Sequence, residues 1–526
     1  MFADCTHKLK GDFPMAKWLD NAIFYEIYPQ SFKDTNSDGI GDFNGIIEKL
    51  DYIKDLGCNA IWLNPCFESP FGDAGYDVAD YYKTAPRYGT NDDLKRVFDE
   101  VHKRGMHILL DLVPGHTSVE HKWFKESMKP EQNEFTDRYV WTNSVWEEPK
   151  GMGSLRGICD RDGSCAVNFF SNQPSLNYGF YKPELPWQQP MDAPGPQATV
   201  EALKDIMRFW LTMGCDGFRV DMAGSLVKHD EDGKGTVKLW QGVRAFLDAE
   251  FPDAAMVSEW SQPQNSLSGG FHMDFILFFG PSDPNNLFRS PEPFFASRGK
   301  GDISKFVKKY KDNYEKTARK GLICIPSGNH DVDRIARHLH GDELKSAFAF
   351  LLSMPGAPFI YYGDEIGMRY VEGLSSVEGG YNRTGSRSPM QWDNSVNAGF
   401  SLASKDKLYI PQDERADRPT VEAQQADESS LYHEVKRLIA LRQAHPALQS
   451  KGEIDFLYAE ENTYPFAYIR SVSDEKILVI LNPSDKDASF ACNLSVENEL
   501  YAFGGKITAA GGQITVPATS YGFFKI

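Results

Sequence analysis

Asp216-Gly217-Phe218-Arg219-Val220-Asp221 reads as a short apolar strand that ends in an arginine and a carboxylate two positions apart. Side chains at i and i+2 of a strand project from one face, so Arg219 and Asp221 stand side by side. A permanent cation beside an acid is expected to depress the acid's pKa and hold Asp221 as an anion, the state a carboxylate nucleophile needs. Taken alone, such a pair is more often structural than catalytic. Strands of similar character flank it. Ile108-Leu109-Leu110-Asp111-Leu112-Val113 runs into Pro114-Gly115-His116, and Met256-Val257-Ser258-Glu259 ends on an acid. Leu322-Ile323-Cys324-Ile325-Pro326 leads to Ser327-Gly328-Asn329-His330-Asp331. Asp221, Glu259 and Asp331 therefore come from three strand ends, the arrangement of a barrel active site.

The wider pattern predicts an α/β fold, a (β/α)8 TIM barrel. Strands are read at Ile23 to Phe32, Ala60 to Asn64, Ile108, Gly217, Ala255, Met273 to Phe279, Leu322 and Phe359 to Tyr362. Between them lie amphipathic helices at Phe43 to Leu56, Asp92 to Arg104, Val200 to Met213, Val237 to Phe251, Ile303 to Tyr314 and Glu343 to Leu352. A last helix follows at Leu431 to Gln443. The long stretch after the third strand, rich in Trp, Asn, Gly and Pro, reads as a small inserted domain over the strand ends. Past Ala447 the residues alternate between turn signals, which predicts a C-terminal antiparallel β-sandwich. The expected organisation is barrel at 1–114 and 198–446, insertion at 115–197 and sandwich at 447–526.

The 526 residues are 41% hydrophobic and 25% charged, enough for a large core, and the net charge of −18 excludes a basic nucleic-acid surface. Neutral sugars fit such a chain, and its 13% aromatic content suits stacking on them. The start, Met1-Phe2-Ala3-Asp4-Cys5-Thr6-His7-Lys8, lacks a signal-peptide pattern and no segment reads as membrane-spanning, so a cytoplasmic protein without membrane partners is expected. The eight scattered cysteines read as free thiols. Cys159 and Cys165 are close enough in sequence to pair or bind metal, with reduced and inert the favoured reading.

One loop, Asp34-Thr35-Asn36-Ser37-Asp38-Gly39-Ile40-Gly41-Asp42, alternates oxygen-bearing side chains around a glycine. Asp34, Asn36, Asp38 and Asp42 with the Ile40 carbonyl could wrap a hard cation, structural calcium before magnesium, and the competing reading is a polar turn that satisfies its own backbone. Position twelve is Gly45, so this is not an EF-hand.

These segments together resemble the α-amylase superfamily, glycoside hydrolase family 13, in its branch of oligo-1,6-glucosidases, α-glucosidases and trehalose synthases. The resemblance rests on Asp111 to His116, Gly217 to Asp221, Glu259 and Asn329-His330-Asp331, joined by the metal loop, Asp73-Ala74-Gly75-Tyr76-Asp77, Gln173-Pro174-Ser175-Leu176-Asn177 and Arg387-Ser388-Pro389-Met390-Gln391-Trp392-Asp393. It implies Asp221 as nucleophile, Glu259 as general acid and later base, Asp331 as transition-state stabiliser and Arg219 as the group that orients Asp221. His116 and His330 would hydrogen-bond the glucosyl ring, Asp73 its far hydroxyl, and Tyr76 would stack on it. Arg387 would pair with Asp73 to close the pocket floor. Four departures stand out: Gly115 replaces an asparagine that braces the turn at His116, Ser175 replaces an aspartate, Met222 follows the nucleophile, and Trp260 after the acid could crowd the leaving-group side.

The expected activity is a retaining, exo-acting α-glucosidase on short oligosaccharides. Glu259 would keep its proton through a raised pKa beside two other carboxylates. A glucosyl transferase or isomerase of the trehalose synthase kind uses the same intermediate, and a non-catalytic sugar-binding or partner subunit is the alternative of another class. Linkage preference and oligomeric state are not encoded legibly.

Overall fold

The computed structural model describes residues 15–276, 285–300, 302–317 and 320–526. The amino-terminal octapeptide and the end of the strand read at Met273 to Phe279 lie outside them.

Eight strands form one parallel sheet: β1 (Phe24–Ile27), β2 (Ala60–Leu63), β3 (His107–Leu112), β4 (Gly217–Val220), β5 (Ala255–Ser258), β6 (Met273–Phe275), β7 (Leu322–Cys324) and β8 (Phe359–Tyr361). Neighbours follow chain order, with β8 against β1. A bridge between Pro326 and Phe359, with Ser327 N–H donating to the Phe359 carbonyl at 2.9 Å, closes β7 onto β8. The sheet is thus a barrel. Because β1, β2, β4 and β5 are buried on both faces, they read as continuous apolar runs without a period of two.

Around the sheet lie α1 (Phe43–Leu56), α2 (Asn91–Lys103), α3 (Pro194–Met213), α4 (Lys234–Glu250), α5 (Pro263–Ser268), α6 (Ser304–Lys316), α7 (Asp342–Ser353) and α8 (Leu431–Ala444). Their ends obey local chemistry. Asp42 caps α1 by accepting from Gly45 N–H, Gly57 closes it at φ 106°, and Thr90 with Asp93 forms a capping box on α2. Helix α3 starts at Pro194, inside the stretch read as insertion, because a proline with no N–H to offer fits a first helical turn. Helix α5 has only six residues and too short an apolar face to register as periodic.

The insertion between β3 and α3 holds a short helix, Lys122–Ser127, and a hairpin of Ser154–Arg156 with Ser164–Ala166. It returns over the barrel through an antiparallel bridge between His116 and Ser175. The C-terminal strands are Glu453–Tyr458, Phe466–Val472, Glu475–Asn482, Ala488–Ala491, Glu499–Phe503, Thr508–Ala510, Gln513–Val516 and Ser520–Lys525. They form a five-stranded and a three-stranded antiparallel sheet. Along 475–482, Leu478 and Ile480 pack between these sheets while Ile477, Val479 and Leu481 join the barrel core. Arg442 donates to the carbonyls of Leu352 (2.9 Å) and Gly356 (2.6 Å), and Arg470 to those of Gln449 (2.8 Å) and Gly452 (3.0 Å). These buried arginines satisfy carbonyls left open beyond α7 and around the 3-10 turn at 446–448, and Arg470 also donates to the Ser353 carbonyl at the end of α7, which ties the sandwich to the barrel.

All seven described cysteines are free, Cys159 and Cys165 among them. Among the described residues no helix is long and apolar enough to cross a membrane.

Candidate active site

Arg219, on β4, is the hub at the carboxyl ends of the strands. It is buried, and its Nη1 lies 2.9 Å from Asp111 Oδ1 and 3.1 Å from Asp221 Oδ1, while Nη2 lies 2.8 Å from Glu259 Oε2. Asp111 also accepts from Trp62 Nε1 (3.0 Å) and the Tyr76 hydroxyl (2.9 Å), a fully engaged structural acid inside β3. One cation therefore serves three carboxylates. Asp221 is 7% exposed and shares the Arg219 guanidinium with Glu259. Burial and the Glu259 charge push Asp221 well above the ordinary carboxylate range, against the pull of Arg219. This corrects the expectation that Arg219 depresses Asp221: desolvation and a second acid outweigh a guanidinium shared three ways. Met222 N–H donates to Glu259 Oε2 at 3.0 Å, from a left-handed backbone at φ 42°, and fixes the acid against the nucleophile strand.

Asp331 follows β7 and collects cations. Its Oδ1 lies 2.6 Å from Arg383 Nη1 and 3.0 Å from Arg387 Nη2, and its Oδ2 lies 3.1 Å from His330 Nε2. Burial opposes ionisation, but His330, Arg383 and Arg387 hold Asp331 well below the ordinary carboxylate range. Arg387 does not pair with Asp73. Its Nε donates to the His330 carbonyl (2.8 Å) and its plane lies over Tyr28, behind Asp331. The arginine facing Asp73 is Arg383, whose Nη2 lies 3.6 Å from Asp73 Oδ1 and donates to the Gly379 carbonyl at 2.7 Å. Both arginines sit on the 3-10 segment Tyr381–Arg387, four residues apart, and it is the earlier one that faces the floor.

Asp73 is held by Gln173 Nε2 (2.7 Å) and, through its N–H, by Asp77 Oδ1 (3.0 Å). Burial raises its pKa against Gln173 and the two arginines. Tyr76 stacks on the His330 ring at 5.2 Å and presents its other side to the pocket. His116 accepts at Nδ1 from Asn168 Nδ2 (3.1 Å) and so donates from Nε2 to the Tyr76 carbonyl (3.1 Å). Burial lowers it to about 4, so the ring is neutral. Gly115 has an explanation: a Cβ there would come within 2.7 Å of the Asn168 amide, which takes over the bracing role from the insertion. Both nitrogens of His116 are thus engaged by protein groups, and His330 is fully buried behind the wall, not on it. Trp260 does not crowd the leaving-group side; its indole lies on Gly224, where a Cβ would meet Nε1 at 2.3 Å.

These groups open onto a pocket of about 450 Å³, lined by Asp73, Tyr76, His116, Asp221, Glu259, Asp331 and Arg383, with Phe169, Phe170, Met222, Tyr381 and Asn382 toward the mouth. That volume suits a short saccharide. The floor is polar and charged, the rim aromatic, with Phe169 56% and Tyr381 60% exposed.

The alpha amylase catalytic-domain profile matches residues 26–451, which carry every group of this pocket. The chain belongs to the α-amylase family. It is 32% identical to an oligo-1,6-glucosidase of Parageobacillus thermoglucosidasius across 90% of this chain and 92% of that one. It is also 32% identical to a trehalose synthase/amylase of Mycolicibacterium smegmatis across 87% and 81%. The trehalulose synthase MutB from Pseudomonas mesoacidophila has a similar fold, with TM-score 0.80 and 26% identity over 97% of this chain and 100% of that one. As an α-amylase family member the protein is a glycosidase-type enzyme.

Beyond the residues singled out in sequence, the structure brings Arg383, Asn168 and Glu26 to this site, and gives Gln173, already in the segment quoted above, its contact with Asp73. Arg383 was signalled by a second arginine in the segment that carries Arg387, and Glu26 by a lone acid in the apolar run Phe24-Tyr25-Glu26-Ile27. Asn168 carried no signal, since only the fold brings it to His116.

The loop at 34–42 lies apart from this pocket. Asp34 accepts from the N–H groups of Asn36, Ser37 and Gly39, Asn36 from Asp38, Asp38 from Ile40, and Asp42 from Thr35 and Gly45. Among the described residues no three His, Cys, Asp or Glu side chains gather as a metal cluster. The self-satisfied turn is therefore present: Asp34 accepts from Asn36, Ser37, Gly39 and the Ser401 hydroxyl, Asp42 from Thr35 and Gly45, and open acceptor capacity is left chiefly on Asn36, Asp38 and the Ile40 carbonyl.

Proposed function

We propose that the protein is a retaining, exo-acting α-glucosidase that removes terminal α-linked glucose from short oligosaccharides through a covalent glucosyl-enzyme intermediate. The observation that carries this reading is that Asp221 and Glu259 sit on the two terminal nitrogens of one guanidinium, at 3.1 and 2.8 Å from Arg219. Carboxyls gathered on one cation suit the shorter spacing of about 5–5.5 Å of a retaining enzyme rather than the wider gap that holds a nucleophilic water in an inverting one. The reacting form is the one with Asp221 ionised and the proton on Glu259: Asp221 attacks the anomeric carbon while Glu259 protonates the departing glycosidic oxygen. Glu259 then takes a proton from water as it displaces Asp221, and both carboxyls return to their starting states. Asp331, anionic among its cations, accepts from sugar hydroxyls as positive charge develops on the ring. The Asp73–Arg383 floor supports an exo action, because a chain cannot continue past it.

A second reading, transfer or isomerisation of the glucosyl group, is favoured by the aromatic and methionine rim, which can exclude water from the acceptor side. It also agrees with two of the similar proteins being a trehalose synthase/amylase and a trehalulose synthase. Product analysis from maltose, isomaltose, sucrose and trehalose separates the two. Glucose as the main product is expected; rearranged disaccharides or longer saccharides from the same incubations would replace hydrolysis by transfer.

We further propose that Asp34, Asn36, Asp38, Asp42 and the Ile40 carbonyl hold a structural calcium. Such an ion would tether the loop to the segment at Ser401 and Lys407, which it already touches through Asp34 and Gly39. Calcium added at a hundredfold excess over Kd to chelator-treated protein is expected to stabilise it by about 2.7 kcal/mol, seen as a higher Tm. An unchanged Tm would leave the loop as a self-satisfied turn.

A further inference from the structure

Glu26 is the one acid in β1, and it is 0% exposed in the barrel interior. Its Oε1 lies 3.0 Å from His330 Nδ1, and His330 Nε2 lies 3.1 Å from Asp331 Oδ2. A carboxylate–imidazole–carboxylate chain thus runs from the middle of the barrel to the pocket wall. We propose that Glu26 is a positioning residue that keeps His330 doubly protonated and, through it, fixes Asp331 as an oriented anion against the glucosyl ring.

An imidazole with a carboxylate within ion-pair distance of each ring nitrogen is favoured as the two-proton cation. Tyr76 and Tyr28 stack on the ring at 5.2 and 6.0 Å, and Trp62 meets it edge-on at 6.1 Å. Two aromatic faces favour a cation between them. The charges that reach this chain from other elements are Arg219, acting on Glu26, Asp111, which senses His330, and Arg383 and Arg387, which pair with Asp331 at 2.6 and 3.0 Å. Burial works against the cation, yet Asp331 and Glu26 raise His330 to about 9. Glu26 itself is pushed by burial up to about 7, with His330 and Arg219 opposing. His330 therefore remains charged at neutral pH and loses its proton only as pH rises through its raised value.

The inference rests on the glycosidase reading for the role of Asp331, and its test has one arm that does not. Glu26→Gln keeps an acceptor at the same reach and removes the charge. In histidine-labelled enzyme, with the His330 resonance assigned by its loss in His330→Asn, the His330 midpoint is expected to fall by about 1–3 pH units in Glu26→Gln. With maltose, kcat is expected to fall about tenfold at little change in KM, less than the hundredfold or more that removal of a directly placed group costs. A midpoint that does not move, or an undiminished kcat beside a moved midpoint, overturns the proposal. If Glu26→Gln does not fold, the parent decides: a His330 that titrates below pH 7 overturns it. Absence of glucoside turnover in the parent would sink the glycosidase reading and leave the resonance result standing.

Discussion

Asp221→Asn is expected to lower hydrolysis of maltose-type substrates by about 10⁴-fold or more, roughly 5 kcal/mol of transition-state stabilisation. The amide preserves the shape of a carboxylate held 3.1 Å from Arg219 but cannot form the glycosyl ester. Glu259→Gln is expected to cost as much with maltose, for a different reason. With α-glucosyl fluoride, whose leaving group needs no proton, the Glu259→Gln enzyme forms the intermediate and stalls, and added azide restores turnover without a base. Asp221→Asn gains nothing from either change. Equal behaviour of the two variants would remove the division of roles. The same pair governs pH dependence. Because Asp221 is raised above the ordinary value of 3.8, its ionised fraction is lost as pH falls through that raised value. The acid limb of kcat/KM is therefore expected above 3.8, and a limb at or below it would show that Arg219 dominates after all.

Arg383→Ala is expected to lower kcat/KM for maltose by about 10²-fold and to weaken the preference for chain ends. Arg383 spans Asp331 at 2.6 Å and Asp73 at 3.6 Å, so its loss removes the cation that bridges the two acids and opens the floor, while Arg387 and Gln173 still hold them singly. Arg387→Ala removes a buried cation stacked on Tyr28 and held by the His330 carbonyl, and its main effect should be on folding stability. Product profiles on maltoheptaose distinguish them. Internal cleavage appearing with Arg383→Ala and not with Arg387→Ala supports the assignment, and an unchanged profile with Arg383→Ala removes the floor from the account of specificity.

Much of this was written in the chain itself. Helix α1 is read at its own bounds because Asp42 and Gly57 mark its ends with local chemistry, and the eight strands are legible because a barrel buries both their faces. The carboxylates at three strand ends follow from the same reading, since a parallel strand delivers its last residues to one rim. Charge balance and pairing did not follow. Whether Asp221 is depressed or raised depends on how many acids share Arg219 and how little water reaches them, and Asp111 and Glu259 arrive from other strands. The exchange of Arg387 for Arg383 as partner of Asp73 depends on which arginine of one 3-10 segment faces the floor. Asn168 standing in for a side chain at Gly115 depends on an insertion folding back across the barrel. Sequence determined the fold and the reacting acids, because periodicity, caps and strand ends are properties of neighbours along the chain. Tertiary structure alone decided the electrostatics and the pocket floor, because those are set by distances between residues remote in sequence and by the water their packing removes.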